Sequence, residues 1–239
     1  MARKSVRSYE RRPIGPEEKS AILGAAMRAP TAGNLMLYSI VDVTDAAMKE
    51  SLSHSCDEQP FIATAPLLLV FLADFQRWMD YYEASGALGP HSPRPQEADF
   101  LLGFGDALIA AQTAVMAAES LGIGSCYIGD IMERYEEHRD LFGLPRYVFP
   151  AAMVCFGYPT EQQRGRPQTP RLPQGHVVFE NRYRREDVSG FRELFAGRDA
   201  GPFLPGAENY GQHEFRRKFD TAFSAEMRRS VAAALSAWR

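Results

Sequence analysis

The sequence predicts a mixed fold in which strands interleave with helices, and three observations carry that expectation. The run "APLLLVFLAD" (Ala65 to Asp74) is continuously apolar over strand length, the pattern of a strand buried on both faces. The stretch "ADFLLGFGDALIAAQTAVMAAESLG", from about Ala98 to Gly122, repeats Leu101, Leu108, Ala111, Val115, Ala118 and Leu121 at helical spacing. It is apolar around most of its circumference, which means burial rather than a surface stripe. Helix and strand signals then alternate along the chain, as α/β and α+β proteins require. A doubly wound parallel sheet is disfavoured. No GxGxxG follows the first strand, the chain opens on a helix, and "GFGDA" (Gly103 to Ala107) lies inside a helix without the third glycine.

The elements follow in order. Pro16, Glu17 and Glu18 open a helix that carries Ile22, Leu23, Ala26 and Met27 on one side and stops at Pro30. "TAGN" is a loop signal. "YSIVDVTD" reads as a strand ending at Asp45, with a short helix through "AAMKESLSHS". After the Ala65–Asp74 strand, "SGALGPHSPRPQ" is a Gly- and Pro-rich excursion. The long helix ends at Gly122, a C-cap. "GSCYIGD" is a short strand or turn, "MERYEEHRDLFGL" a charged helix that Asp130 caps, and "YVFPAAMVCFGYP" another buried strand. From Pro159 the chain turns polar and Pro-rich, with one β-like island at His176 to Glu180. "EFRRKFDTAFSAEMRRSVAAALSAW" reads as a C-terminal helix.

The 239 residues suit one domain, or a domain with an insertion. A net charge of −3 gives no reason to expect nucleic acid or an anionic membrane as partner. Cys56, Cys126 and Cys155 are widely spaced, which suggests neither a disulfide framework nor a zinc site and points to a reducing cytosol. The basic start lacks the apolar stretch of a secretory signal, and no apolar run approaches the ~18 residues of a membrane span. A cytoplasmic protein is expected, with no metal, since the five histidines show no spacing for a triad or a metal.

Three segments are candidates for a shared anion and ring site. In "RKSVRSY", Arg3, Ser5 and Arg7 alternate, so an extended backbone points them to one side. "APTAGN" (Ala29 to Asn34) follows a helix with small residues that allow close backbone approach. "TPRLP" (Thr169 to Pro173) presents Arg171 between stiffening prolines. Guanidinium forks suit phosphate, so two of them with a serine hydroxyl make a reasonable monophosphate clamp.

These motifs, in this order and with the helix "AAQTAVMAAESLGIGSCYIGD" between them, resemble the FMN-dependent nitroreductase family, closest to its NADPH-preferring nitro/flavin reductases. The resemblance covers roughly residues 2 to 185. It implies an α+β three-layer sandwich, a mainly antiparallel sheet flanked by helices, and an intertwined homodimer with FMN at the interface. Residues 1–185 would form the FMN-binding core, 86–96 a lid, and 186–239 an extension within the same domain or around the partner. Arg3 and Ser5 match positions that bind the FMN phosphate and ribityl chain, with Lys4 between them contributing through its backbone. Arg7 matches a cation beside N1 and O2 of the ring. Thr31, Ala32 and Asn34 match a loop against the ring and ribityl chain, and Gln59 a side chain on the pyrimidine edge. Tyr127, Ile128, Gly129 and Asp130 match the turn over the flavin, and Arg171 a phosphate-binding arginine.

Two departures stand out. Leu35-Met36-Leu37-Tyr38 replaces a family run containing glutamine, which removes a polar contact at Met36. Thr169 stands where a lysine is common, so Arg166 is the cation available to fill in. The activity implied is ping-pong hydride transfer from NADPH or NADH to a small-molecule acceptor: a nitroaromatic, a quinone or free flavin. No catalytic side chain is required, because the cofactor carries the chemistry. The same scaffold could serve dehalogenation or ene reduction, or store FMN without turnover. Cys126 reads as inert core filler. Arg216, Arg217 and Lys218 either grip a 2′-phosphate or form a solvated helix face.

Overall fold

Four strands form one sheet in the order β1-β2-β4-β3, every neighbouring pair antiparallel: β1 Tyr38–Asp42, β2 Leu67–Asp74, β3 Gly124–Ile128 and β4 Val148–Gly157. The computed structural model describes residues 3–198 and 201–239. The chain divides into two units, one of residues 1–167 with 226–239, the other of 168–225.

In the first unit the sheet is covered on both faces, which is why β2 and β4 are buried at every position. Leu67, Leu69 and Phe71 point to one face with Val154 and Phe156. There they meet helices α1 (Pro16–Met27) and, later in the chain, α4 (Glu97–Ser120), through Ile22, Ala26, Ala107, Ala110, Ala111 and Ala114. Leu68, Val70 and Leu72 point to the other face with Met153 and Cys155, against Leu52 of helix α2 (Ala46–Ser55), Ile62 and Ile131. Helix, sheet and helix make three layers, and two buried faces leave no room for the polar alternation of a half-exposed strand. Pro150 sits inside β4 because the register slips between Phe71 and Leu72 of β2, a bulge that tolerates a residue without an N–H.

The alanines of α4 let it lie close to the sheet, and an added Cβ on Gly103 would stand 3.2 Å from the Leu37 carbonyl. The other side of α4 is open, with Leu101 65%, Leu102 50% and Met116 57% exposed. Its mean hydropathy reaches 1.6 over an 18-residue window, so it is long and apolar enough to cross a membrane, contrary to the sequence expectation. Here nine of its residues are buried in the core. A third cluster surrounds Trp238, whose ring meets Phe100 at 5.0 Å and Tyr147 at 5.7 Å.

Several boundaries differ from expectation, each for a local reason. β1 ends at Asp42, because Asp45 is the N-cap of α2 and accepts from Met48 N at 2.7 Å. Helix α3 (Gln76–Ala84) follows β2 directly and carries no Gly or Pro signal. Asp130 opens a 3-10 turn, Asp130–Met132, and the charged helix α5 (Tyr135–Phe142) begins only after Arg134 in left-handed geometry (φ 46°). Helix α6 (Glu161–Gly165) is capped by Thr160.

In the second unit, Gln174–His176 is a 3-10 turn and no strand forms at 176–180. Helix α7 (Val188–Phe195) starts at the Asp187 cap, which accepts from Gly190 N at 2.8 Å. The expected C-terminal helix is three pieces: α8 (Tyr210–Glu214), a π turn (Phe215–Phe219) and α9 (Ala222–Trp238), whose residues from Glu226 belong to the first unit. The break falls at Asp220, whose backbone leaves the helical region (φ −97°, ψ 63°).

Candidate functional site

The N-terminal segment docks as an extra strand along the β3 edge. Val6 N donates to Ser125 O at 2.9 Å, Ser5 pairs with Ser125 in parallel, and Tyr9 pairs with Pro159. Val6 is the anchor, at 3% exposed, and Gly124 makes its seat: a Cβ there would lie 2.5 Å from Val6 Cγ2. Because side chains alternate along an extended chain, burying Val6 turns Ser5 and Arg7 to the other side. Arg7 is exposed, while Arg3 and Ser5 are half-buried. Burial raises the Cys126 thiol, with Arg7, Ser5 and Arg3 all pulling against it, so these three converge near one point of β3.

The segment around α6 clamps the strand's backbone. Arg7 N donates to Gln163 Oε1 at 3.2 Å, and Arg166 Nη2 donates to Ser5 O at 2.5 Å. Lys4 turns inward through its side chain, donating Nζ to the carbonyls of Arg164 (2.6 Å) and Arg166. Its ammonium is therefore used within the fold. Arg166, the cation considered in place of Thr169, lies against the strand through that same carbonyl.

The turn after β3 is next to this strand. Burial pushes the Tyr127 hydroxyl up to about 12, opposed by the nearby Arg3 guanidinium, and the hydroxyl donates to Gln112 Oε1 at 3.4 Å. Ile128 is buried, Gly129 is exposed, and Asp130 is half-buried. Gln59 joins this turn: its Nε2 donates to Asp130 Oδ2 at 3.2 Å and to Cys56 O at 2.8 Å. The residues leading into it, Asp57 and Glu58, hold left-handed backbone (φ 62° and 50°), strain that the surrounding fold must maintain. His138, buried and with its imidazolium disfavoured by burial, ties α5 to α2. Its Nδ1–H donates to Ile131 O at 2.9 Å, and the Ser55 hydroxyl donates to its Nε2 at 2.8 Å.

Thr31, Ala32 and Asn34 lie elsewhere, at the entry to β1 and thus at the opposite edge of the sheet. Three strand spacings, about 14 Å, separate the β1 and β3 edges. The loop is contorted, with Gly33, Asn34 and Met36 at φ 56°, 58° and 50°. What holds it is Asp106 of α4, a residue the sequence reading missed. Its buried carboxylate accepts from Ala32 N at 2.9 Å and Leu37 N at 3.1 Å. The Thr31 hydroxyl accepts from Met36 N, and Trp78 Nε1 donates to Leu35 O at 2.7 Å. A lone acid in the apolar run from Leu101 to Val115 is the signal that could have revealed Asp106.

Arg171 belongs to the second unit and is exposed. In that unit Arg217 pairs with Glu214 at 2.7 Å, and Arg216 donates to Pro205 O at 2.7 Å. The three cysteines are buried thiols. Burial raises all three, Cys56 to about 12, and Cys126 lies directly opposite Cys155 across the β3–β4 pair.

Comparison with known proteins matches residues 1–158 to the Nitroreductase family. The chain is 33% identical over 184 residues to an oxygen-insensitive NADPH nitroreductase of Salmonella typhimurium, covering 77% of this chain and 72% of that protein. It is 34% identical over 184 residues to an FMN reductase [NAD(P)H] of Bacillus subtilis, with the same coverage of 77% and 72%. Among solved structures, a putative oxidoreductase from Bacteroides fragilis superposes with a TM-score of 0.86 at 30% identity, covering 99% of this chain and 96% of that one. The NADPH:FMN oxidoreductase from Vibrio harveyi, complexed with NAD+, gives 0.80 at 27% identity and coverage of 98% and 95%. With an antiparallel four-stranded sheet between helical layers and the family pattern across two thirds of its length, this chain belongs to the nitroreductase family.

Proposed function

We propose that the protein is an FMN-dependent oxidoreductase that passes a hydride from NAD(P)H to a nitroaromatic, quinone or flavin acceptor. The observation that carries this reading is the β3 edge, where Arg3, Ser5 and Arg7 converge beside Tyr127 and Cys126. Its donor set fits FMN: two guanidiniums and a hydroxyl for the phosphate and ribityl chain, a peptide turn, and an amide for the pyrimidine edge. The buried Ser125 hydroxyl, without a hydrogen-bond partner among the described residues, lies in this same strand.

When bound, FMN supplies the hydride-carrying centre that no side chain here provides. Arg3 and Ser5 hold the phosphate end. Arg7 places positive charge where reduced flavin gathers negative charge, which favours the two-electron reduced form. Gln59 and the Tyr127–Asp130 turn orient the ring. Donor and acceptor then take turns in one slot, so the kinetics are ping-pong. The excursion at 86–96 serves as a lid.

The working form we propose is a homodimer built on residues 1–185, with the extension from 186 within the same domain or as an arm around the partner up to its last helix, whose residues from Glu226 pack into the subunit's own core. Two features support it. The open face of α4 exposes Leu101, Leu102, Ile109 and Met116, which favours burial against another subunit. The Thr31–Asn34 loop, at the far edge of the sheet, can reach a flavin site most simply on a second copy. Three buried free thiols suit a reducing cytoplasm.

Initial rates measured over a grid of NADPH and menadione or nitrofurazone concentrations test the mechanism. Parallel double-reciprocal lines are expected. Intersecting lines would contradict alternate occupancy of one slot.

A further inference from the structure

Glu133 is a buried carboxyl that the proposed reaction does not use. It is 7% exposed, and its Oε1 has no hydrogen-bond partner among the described residues. An ionised carboxylate in such a place is costly unless something compensates it. The turn that precedes it sets its neighbour: Glu133 N donates to Asp130 O at 3.0 Å, closing the 3-10 turn. Side chains three residues apart leave a 3-10 turn on the same side, and the Asp130 carboxyl is close enough to act on Glu133.

Two more carboxylates act on Glu133 from other elements, Asp57 from the bend after α2 and Glu226 from α9, while Arg134 opposes them. Burial first, then these like charges, push Glu133 up to about 7. The neighbourhood is held in place against strain, with Asp57, Glu58 and Arg134 all in left-handed backbone. Asp130 in turn accepts from Gln59 Nε2, whose other hydrogen goes to Cys56 O. With both amide hydrogens engaged, the Gln59 carbonyl oxygen is the end left to accept from a ligand.

We propose that Glu133 is a positioning residue: as the buried member of the Asp130–Glu133 pair it holds a proton, and the Asp130 carboxyl, bonded to Nε2, fixes the Gln59 amide with its carbonyl toward the cofactor. Two neighbouring carboxyls in a shielded site do not both ionise cheaply, and the more buried one takes the proton. When Glu133 loses it, a second negative charge stands behind the residues that orient the flavin. The site then discriminates against the reduced, more negative form. The inference rests on the proposed function only in naming flavin as what Gln59 faces.

Two measurements test it. In the protein carrying 13C-labelled glutamate carboxyls, without added flavin, NMR titration should show one signal moving near neutral pH and missing in Glu133→Gln. A Glu133 signal that titrates in the ordinary glutamate range overturns the proposal whatever the cofactor. In the FMN-loaded protein, spectroelectrochemistry gives the ratio of reduced- to oxidised-FMN affinity at pH 6 and pH 8. That ratio should fall at least fivefold more in the wild type than in Glu133→Gln, which mimics the neutral carboxyl. Equal pH dependence in the two proteins overturns it, since a purely structural Glu133 would change stability and leave this difference at zero. A chain that takes up no FMN defeats the proposed function at the loading step, and the naming of flavin with it, while the NMR titration still decides the proton's location.

Discussion

The two edges of the sheet hold their candidate site segments by different means. At the β3 edge, the Arg3–Arg7 segment is fixed by backbone pairing with Ser125, by Val6 against Gly124, and by a clamp from Gln163 and Arg166. At the β1 edge, the Thr31–Met36 loop is held by side chains, and backbone pairing begins only at Leu37, whose carbonyl accepts from Asp74 N. The loop is shaped by one buried carboxylate, Asp106, reaching from α4. The first arrangement turns Arg3 and Arg7 to the side away from Val6, its apolar anchor, while Lys4 turns inward. The second rests on a few side-chain hydrogen bonds, two of them made by Asp106, so one substitution should loosen it.

The comparison breaks most directly at the first edge. Deleting residues 1–7 should weaken FMN binding at least about 100-fold, the scale of losing two charge-assisted hydrogen bonds. Flavin absorbance retained after gel filtration reads this out. An undiminished yellow protein would remove the segment from the site.

At the second edge, Asp106→Ala leaves the Ala32 and Leu37 amides without their acceptor, which should cost about 3 kcal/mol in urea unfolding. A loss under about 0.5 kcal/mol would show that water or another group takes over, and that the loop does not depend on Asp106. Gly124→Ala sharpens the contrast. Its new methyl collides with Val6, so it should cost about 1–3 kcal/mol and loosen FMN binding.

The pH dependence has a definite sign. Glu133 is raised in the folded protein, so the unfolded chain releases its proton first as pH rises. Its contribution to stability is therefore largest below the ordinary glutamate range, falls between that range and about pH 7, and is constant above. Glu133→Gln should flatten this decline in chemical denaturation between pH 4.5 and 7.5. A decline unchanged in the variant would assign it to other groups. The smallest effect is expected away from both edges. Replacing Arg229, shared by Glu136 and Glu226 at 2.8 Å on the exposed surface, by Ala should leave the urea midpoint close to that of the wild type.

The layered fold was legible because its signals are local. Unbroken apolar strands, alanine spacing in α4 and the proline and acidic residues opening α1 each reflect burial or capping at their own positions. The N-terminal strand was legible for the same reason, since Arg3, Ser5 and Arg7 alternate around Val6. What escaped depends on partners distant in sequence. Asp106 is 74 residues from the amide it holds at Ala32, and in sequence it is one acid in an apolar helix. The inward turn of Lys4 depends on carbonyls 160 residues away. Asp130 looked like a helix cap because acids precede helices. The 3-10 turn and left-handed Arg134 that follow it leave no mark in composition.

The central claim is that bound flavin accepts hydride from a nicotinamide nucleotide in this site. Anaerobic stopped-flow mixing of the FMN-loaded protein with NADPH, and separately with NADH, tests it most directly by following flavin absorbance near 450 nm. Rapid bleaching by at least one of the two nucleotides is expected, with return of the colour when a nitroaromatic or quinone is added. A yellow protein that keeps its colour with both nucleotides would contradict it.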